Sequence, residues 1–232
     1  MGGLGTRVRP LTENVPKALL PIDGEPFVAH QLRLLRNRGI KRVVLCLGYL
    51  GEQLLDFVGD GSAFGLEADY SWDGPIALGT AGALRNAVVK LGEAFFVMYG
   101  DSYLPCDFVA VEGAFRASGK PALMTVFHNA GQWDSSNVEF GDGRIAAYDK
   151  QHRTARMRHI DYGLGVFRSS VFSALPDMPC DLATVYRDLL REDKLAAYEV
   201  SERFYEAGSF EGIRALSEFL ATAKGTQVRC DV

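Results

Sequence analysis

From residue 26 onward, short apolar runs alternate with amphipathic stretches, and that alternation restricts the chain to βα units. Residues 26–39 read as a helix: a proline suits the first turn, Phe27, Leu32 and Leu35 fall near one face, and Gly39 supplies the stop. Arg42–Leu47 is a short β-branched apolar run closed by Gly48, the pattern of a buried parallel strand. Residues 52–58 predict a second helix, 66–72 a second strand, and 79–91 a third helix opened by Gly79-Thr80-Ala81-Gly82-Ala83-Leu84. Residues 94–99 form the strongest strand pattern, ended by Gly100-Asp101-Ser102, and a helix over 107–118 and a strand over 121–128 follow. Strands alternating with helices predict an α/β fold with a Rossmann-like mixed, mostly parallel sheet flanked by helices.

The pattern changes after residue 128. Residues 137–140 and 144–148 flank Gly141-Asp142-Gly143 and read as a β-hairpin, and residues 159–167 read as another strand. Residues 181–191 are amphipathic, with Leu182, Val185, Leu189 and Leu190 on the inner side, and are assigned to packing. A last helix is expected to end near Ala223, leaving residues 224–232 as an unpatterned tail. A chain of 232 residues with 47% hydrophobic and 23% charged residues can bury one substantial core. One domain over 1–232 is expected, with a first half over about 1–128 and a smaller β-rich part over about 129–232.

Charge and cysteine usage exclude several function classes. A net charge of −4 supplies no global attraction for nucleic acid or an anionic membrane, so any affinity for phosphate must be local. Cys46, Cys106, Cys180 and Cys230 are scattered singly, without the paired spacing of a zinc site, which suits reduced thiols in a cytoplasmic protein. No apolar run reaches the roughly 18 residues of a membrane span. No nucleic-acid or membrane partner is expected, and nothing in the sequence reports the oligomeric state.

The local site for phosphate is the N-terminal run. Gly2, Gly3 and Gly5 free the backbone to adopt positive φ and let its N–H groups approach an anion closely. Thr6 adds a hydroxyl, while Arg7, Arg9 and Lys17 add positive charge, arginine as a fork and lysine as a mobile point charge. A P-loop is absent from the chain, and a dinucleotide fingerprint would need glycine where Val8 stands. Asp101 lies just past a strand end, where open α/β sheets bind ligands, and is the best candidate for a metal ligand.

The run Gly2-Gly3-Leu4-Gly5-Thr6-Arg7-Val8-Arg9-Pro10-Leu11-Thr12, followed by Lys17, resembles the signature of the sugar-1-phosphate nucleotidyltransferases. In that family the loop wraps the triphosphate of the incoming nucleotide, so the resemblance implies that Arg7 and Lys17 stabilise phosphate charge. It implies that Gly79, Thr80 and Gly82 lie along the nucleotide base, although a simple helix cap at Thr80 is an alternative. Lys150 stands where a lysine contacting the sugar phosphate is usual, with Gln151 in place of the family proline. The strand carrying Asp161 and Gly163 resembles one whose Asn-Ala-Gly motif reads sugar hydroxyls, here with Asp for Asn. Phe204-Tyr205-Glu206-Ala207-Gly208-Ser209 resembles the segment that brings a second metal carboxylate, so Mg²⁺ is expected on Asp101 and Glu206, while Ser209 could equally cap the last helix. In the family a buried strand leads into the glycine loop, whereas here the loop begins at Met1; a chain cut short by that first strand is the expectation.

The resemblance implies a first half for the nucleotide and a second for the sugar phosphate. The reaction it implies is transfer of a nucleoside monophosphate from an NTP to a sugar 1-phosphate with release of pyrophosphate. The closest likeness is to heptose- and mannose-1-phosphate guanylyltransferases, with GTP as the expected nucleotide. Uridylyl transfer to N-acetylmuramate 1-phosphate, uridylyl or thymidylyl transfer to glucose 1-phosphate, cytidylyl transfer to phosphocholine and a regulatory subunit without catalysis remain alternatives.

Overall fold

The computed structural model describes residues 12–227. The glycine loop, with Gly2, Gly3, Gly5, Thr6 and Arg7, lies outside the described residues, as does the position of the expected first strand. The described chain falls into two compact units. The first gathers residues 12–70, Gly100–Tyr103 and residues 204–227; the second holds Ser71–Tyr99 and Leu104–Arg203.

In the first unit, a 3-10 turn at Lys17–Leu19 leads into the short antiparallel pair β1 (Pro21–Ile22) and β2 (Glu25–Pro26), and then α1 (Phe27–Asn37). Strand β3 (Arg42–Leu47) follows, then α2 (Gly51–Val58) and β4 (Glu67–Trp72), which pairs with β3 and ends in the second unit. The expected helix over 26–39 closes with Gly39 at φ +84°, the left-handed step a glycine makes cheaply. The apolar stripe of α1 explains its burial: Val28 and Leu32 pack with Leu47, Leu54, Val58 and Leu66. Strand β3 is less buried than its apolar run suggests, Leu47 being fully covered while Val43 to Cys46 are half-buried. A second cluster joins Ile22 and Phe27 to Ala207, Leu216 and Leu220 near the C-terminus. The last helix continues to Gln227, beyond the end expected at Ala223, so residues 224–227 are helical rather than an unpatterned tail.

The second unit begins with α3 (Gly79–Ala87), which passes into a 3-10 turn at Val88–Lys90, so the predicted helix is right in place but tighter at its end. Strand β5 (Ala94–Met98) follows; the short β6 (Ser102–Tyr103) belongs to the first unit. Helix α4 (Phe108–Ser118) is capped by Asp107, whose carboxylate accepts from the Val109 and Ala110 amides. Then come β7 (Ala122–His128), the hairpin β8 (Val138–Gly141) and β9 (Arg144–Tyr148), β10 (His159–Arg168), α5 (Ser170–Ser173), α6 (Leu182–Arg191) and β11 (Leu195–Val200). These strands form one six-stranded mixed sheet in the order β11-β7-β10-β8-β9, with β5 also paired to β10. Strand β11 runs parallel to β7, and the other adjacent pairs are antiparallel. The expected α/β mixed sheet is therefore present, but within this sheet antiparallel pairing dominates. The reason is β10: ten residues long, it gathers β5, β7 and β8 around itself, and β11, which the sequence reading did not pick out, adds the parallel edge.

Candidate active site

In the first unit the chain ends with β12 (Tyr205–Glu206) and α7 (Phe210–Gln227). Strand β12 pairs antiparallel with β6, setting Glu206 opposite Ser102 and Tyr205 opposite Tyr103. The carbonyl of Asp101 accepts the Ala207 amide at 2.8 Å, so two acidic residues far apart in sequence are tied to neighbouring positions by backbone bonds. Lys17 donates to the Asp101 carboxylate at 3.0 Å; its side chain is 16% exposed and that of Asp101 33%. The Gln31 amide donates to the Ser102 carbonyl at 2.8 Å, which pins the loop carrying Asp101 against α1.

Glu206 has local partners. Its carboxylate accepts from the Gly208 amide and, at 2.5 Å, from the Ser209 hydroxyl, and the Ser209 oxygen accepts the Gly212 amide at 3.0 Å. Ser209 thus caps α7, the second of the two roles the sequence allows it, while Glu206 leans against the helix start. Gly212 makes that approach possible, since a Cβ there would collide with the Glu206 carboxylate. Among the described residues no group of three or more His, Cys, Asp or Glu side chains could hold a metal. Mg²⁺ takes one or two protein carboxylates and keeps water and phosphate oxygens, so Asp101 and Glu206 would suffice for it once the Glu206 carboxylate turns from Gly208 and Ser209.

In the second unit, Gly79 adopts φ +73° and the turn before it closes on residues 176–181. The Ala81 and Gly82 amides donate to the Cys180 carbonyl at 3.0 and 3.2 Å, and the Cys180 amide donates to the Leu78 carbonyl at 2.8 Å. Arg85 donates to the Pro176 carbonyl and to the Asp177 carboxylate. Thr80 does not cap its own helix. Its hydroxyl donates to Asp181 at 2.5 Å and accepts the Leu182 amide at 2.7 Å, so it serves the first turn of α6 instead.

The same unit brings Lys150 and Asp161 together, which the sequence treats as separate contacts. The Asp161 side chain is only 2% exposed, and the Lys150 ammonium lies 3.5 Å from it. Two residues missed by sequence reasoning complete the group: the Tyr148 and Tyr99 hydroxyls donate to the same carboxylate at 3.2 and 3.4 Å. Lys150 also sits 5.0 Å from the Tyr99 ring centre and 5.9 Å from that of Tyr148. Burial, and then the Asp161 charge, push both phenols well above their ordinary range, so they remain protonated donors. Gly163, at φ +97°, donates its amide to the other Asp161 oxygen at 3.1 Å, within the irregular stretch of β10 where pairing with β7 shifts register. Buried Asn137 ties the group to the hairpin: its side-chain oxygen accepts the Asp161 amide and its carbonyl accepts the Asp149 amide. Tyr99 precedes Gly100-Asp101 and Tyr148 precedes Asp149-Lys150, so adjacency to those motifs was the available signal.

Comparison with known proteins adds the family. A nucleotidyl transferase family profile matches residues 1–152. The chain is 39% identical over 215 residues to an N-acetylmuramate alpha-1-phosphate uridylyltransferase of Neisseria meningitidis, covering 89% of this chain and 90% of that protein. It is 40% identical over 178 residues to a mannose-1-phosphate guanylyltransferase of Mycobacterium tuberculosis, covering 76% of this chain and 49% of that protein, and so spans about half of that relative's length. In fold it is similar to HddC from Yersinia pseudotuberculosis, solved in complex with GMP-PN, with a TM-score of 0.78 and 21% identity over 94% of this chain and 96% of that one.

Proposed function

Because the chain belongs to the nucleotidyl transferase family and is a sugar-1-phosphate nucleotidyltransferase, we propose that it transfers UMP from UTP to an N-acetylated amino-sugar 1-phosphate, N-acetylmuramate 1-phosphate in the first instance. The single observation favouring this pair is the relative that matches nearly end to end and carries that activity in its name. A second reading, GMP transfer to mannose- or heptose 1-phosphate as the motifs imply, is favoured by the 40% identical mycobacterial relative.

The chemistry needs no side-chain nucleophile. A phosphate monoester loses its second proton at a pKa of about 6, so the sugar phosphate is already an anion that can attack the α-phosphorus. One P–O bond forms there and the α–β phosphoanhydride bond breaks, with pyrophosphate leaving. The protein's work is to align two polyanions and disperse charge. In this reading Lys17, held by Asp101, faces nucleotide phosphate, and Lys150 receives the sugar phosphate. Arg7 and the glycine loop carry the role that the resemblance implies. Asp101 and Glu206 would hold Mg²⁺, which when bound neutralises phosphate oxygens and polarises the reacting phosphorus.

Pyrophosphate release measured with four NTPs against N-acetylmuramate, mannose, heptose and glucose 1-phosphates tests the proposal. Release confined to UTP with N-acetylmuramate 1-phosphate supports the first reading, and release with GTP and mannose or heptose 1-phosphate supports the second. Binding of nucleotide sugar without any release would make the chain a regulatory subunit.

A further inference from the structure

The Asp161 carboxylate has little capacity left for a substrate. One oxygen accepts the Gly163 amide, and the other meets the Tyr99 hydroxyl, the Tyr148 hydroxyl and the Lys150 ammonium. With a side chain 2% exposed, it cannot offer two free acceptors to adjacent sugar hydroxyls without giving up bonds inside the protein. Lys150 is different: 43% of its side chain is exposed, and an ammonium has three donors, of which this carboxylate takes one. The two tyrosine rings close on the ammonium from the protein side.

We propose that Asp161 is a positioning residue that anchors Lys150, with Tyr99 and Tyr148 fixing the anchor, and that it does not itself read the sugar. This inference rests on the reading of Lys150 as the group that receives the sugar phosphate. A lysine side chain has four rotatable bonds, and held by one ion pair between two rings it presents its remaining donors in one direction. The two phenols hold the carboxylate in place as neutral donors, because a single buried charge needs both a counter-ion and hydrogen bonds.

The test is a double-mutant cycle on Asp161→Asn and Lys150→Met, with pyrophosphate release followed while the sugar 1-phosphate is varied at saturating NTP. Each single variant lowers kcat/KM by about 10- to 100-fold, chiefly through KM, the size expected for misplacing a positioned group. In the double variant the anchor has nothing to hold, so the loss stays within about 2-fold of that for Lys150→Met alone. A loss equal to the product of the two single effects would mean that Asp161 contacts substrate by itself, and overturns the proposal. Tyr148→Phe gives a second route that keeps the core volume: it raises KM several-fold in the wild-type background and has no effect in the Lys150→Met background. This pair decides the matter if Asp161→Asn does not fold. A wild-type chain that releases no pyrophosphate with any substrate pair overturns the proposed function; the same cycle, read as N-acetylmuramate 1-phosphate binding by calorimetry, then decides the anchor, and absence of binding to the wild type overturns both.

Discussion

Replacing Gly79 by alanine should cost the second unit far more than an ordinary glycine substitution. Two effects add. At φ +73° a Cβ costs about 1–2 kcal/mol in the left-handed region. That Cβ would also stand 2.5 Å from the Cys180 carbonyl oxygen, against 3.4 Å for ordinary contact, so the oxygen must retreat by about 0.9 Å (3.4 minus 2.5). The same oxygen accepts the Ala81 and Gly82 amides, and losing both bonds removes about 1–3 kcal/mol at the usual net value of about 0.5–1.5 each. The sum is about 2–5 kcal/mol, or a drop in Tm of about 4–20 °C at about 2–4 °C per kcal/mol for a chain of this size. Gly74→Ala supplies the control: its φ is +80°, but a Cβ there meets nothing within 4 Å, so only the backbone cost of about 1–2 kcal/mol applies. Urea denaturation followed by circular dichroism measures both. Equal losses for the two variants would refute the idea that residues 176–181 are seated against the start of α3. If the segment 79–84 lies along the base, Gly79→Ala also raises KM for the nucleotide.

Four other outcomes are expected. Asp101→Asn reduces Mg²⁺-dependent turnover by about 100-fold or more while shifting stability by no more than about 1 kcal/mol, because the pair with Lys17 is partly exposed; full activity in a pyrophosphate assay would remove Asp101 from the site. Thr80→Val costs about 1–2 kcal/mol in denaturant midpoint, since it removes a hydroxyl that serves Asp181 and the Leu182 amide, and an unchanged midpoint would show that α6 is capped otherwise. Gly165→Ala places a Cβ on the Tyr186 hydroxyl and 2.8 Å from the Phe167 ring, an overpacking worth about 1–3 kcal/mol by thermal melt. Tyr99, Tyr148 and Tyr186 all have phenols raised above their ordinary value by burial, with Asp161 adding to it. Their contribution to stability is complete below a pH of about 10, where unfolded tyrosine titrates, and is lost as pH rises beyond it. Absorbance near 295 nm should therefore report ionisation of these phenols together with loss of circular dichroism; ionisation well before unfolding would contradict their burial.

Much of this protein was legible in local pattern. The apolar run Arg42–Leu47 and the hairpin around Gly141-Asp142-Gly143 declare themselves through side-chain period and turn residues, which are properties of neighbouring positions. The helix over 107–118 was legible in the same way, although its first residue, Asp107, stands before α4 as the cap. Lys17, Asp101, Lys150 and Asp161 could be singled out because their motifs are contiguous. Strand β11 was not seen because Leu195–Val200 has no alternation of its own; its six residues become a strand by lying parallel to β7. The Lys150 group was not seen as a group either, since Tyr99, Tyr148 and Asp161 are brought together by strand pairing and the buried Asn137.

Local sequence therefore determined most of the helices and strands, β11 excepted, and which residue types could handle phosphate, because propensity, capping and motif spacing act over a few residues. Tertiary structure alone decided the partners: that Lys17 is held by Asp101, that Thr80 serves α6 rather than its own helix, and that Asp161 faces a lysine and two phenols. Such pairings follow from the folding of distant segments onto one another, and burial is what makes them specific, because a charge removed from water must find its counter-ion and donors inside the protein.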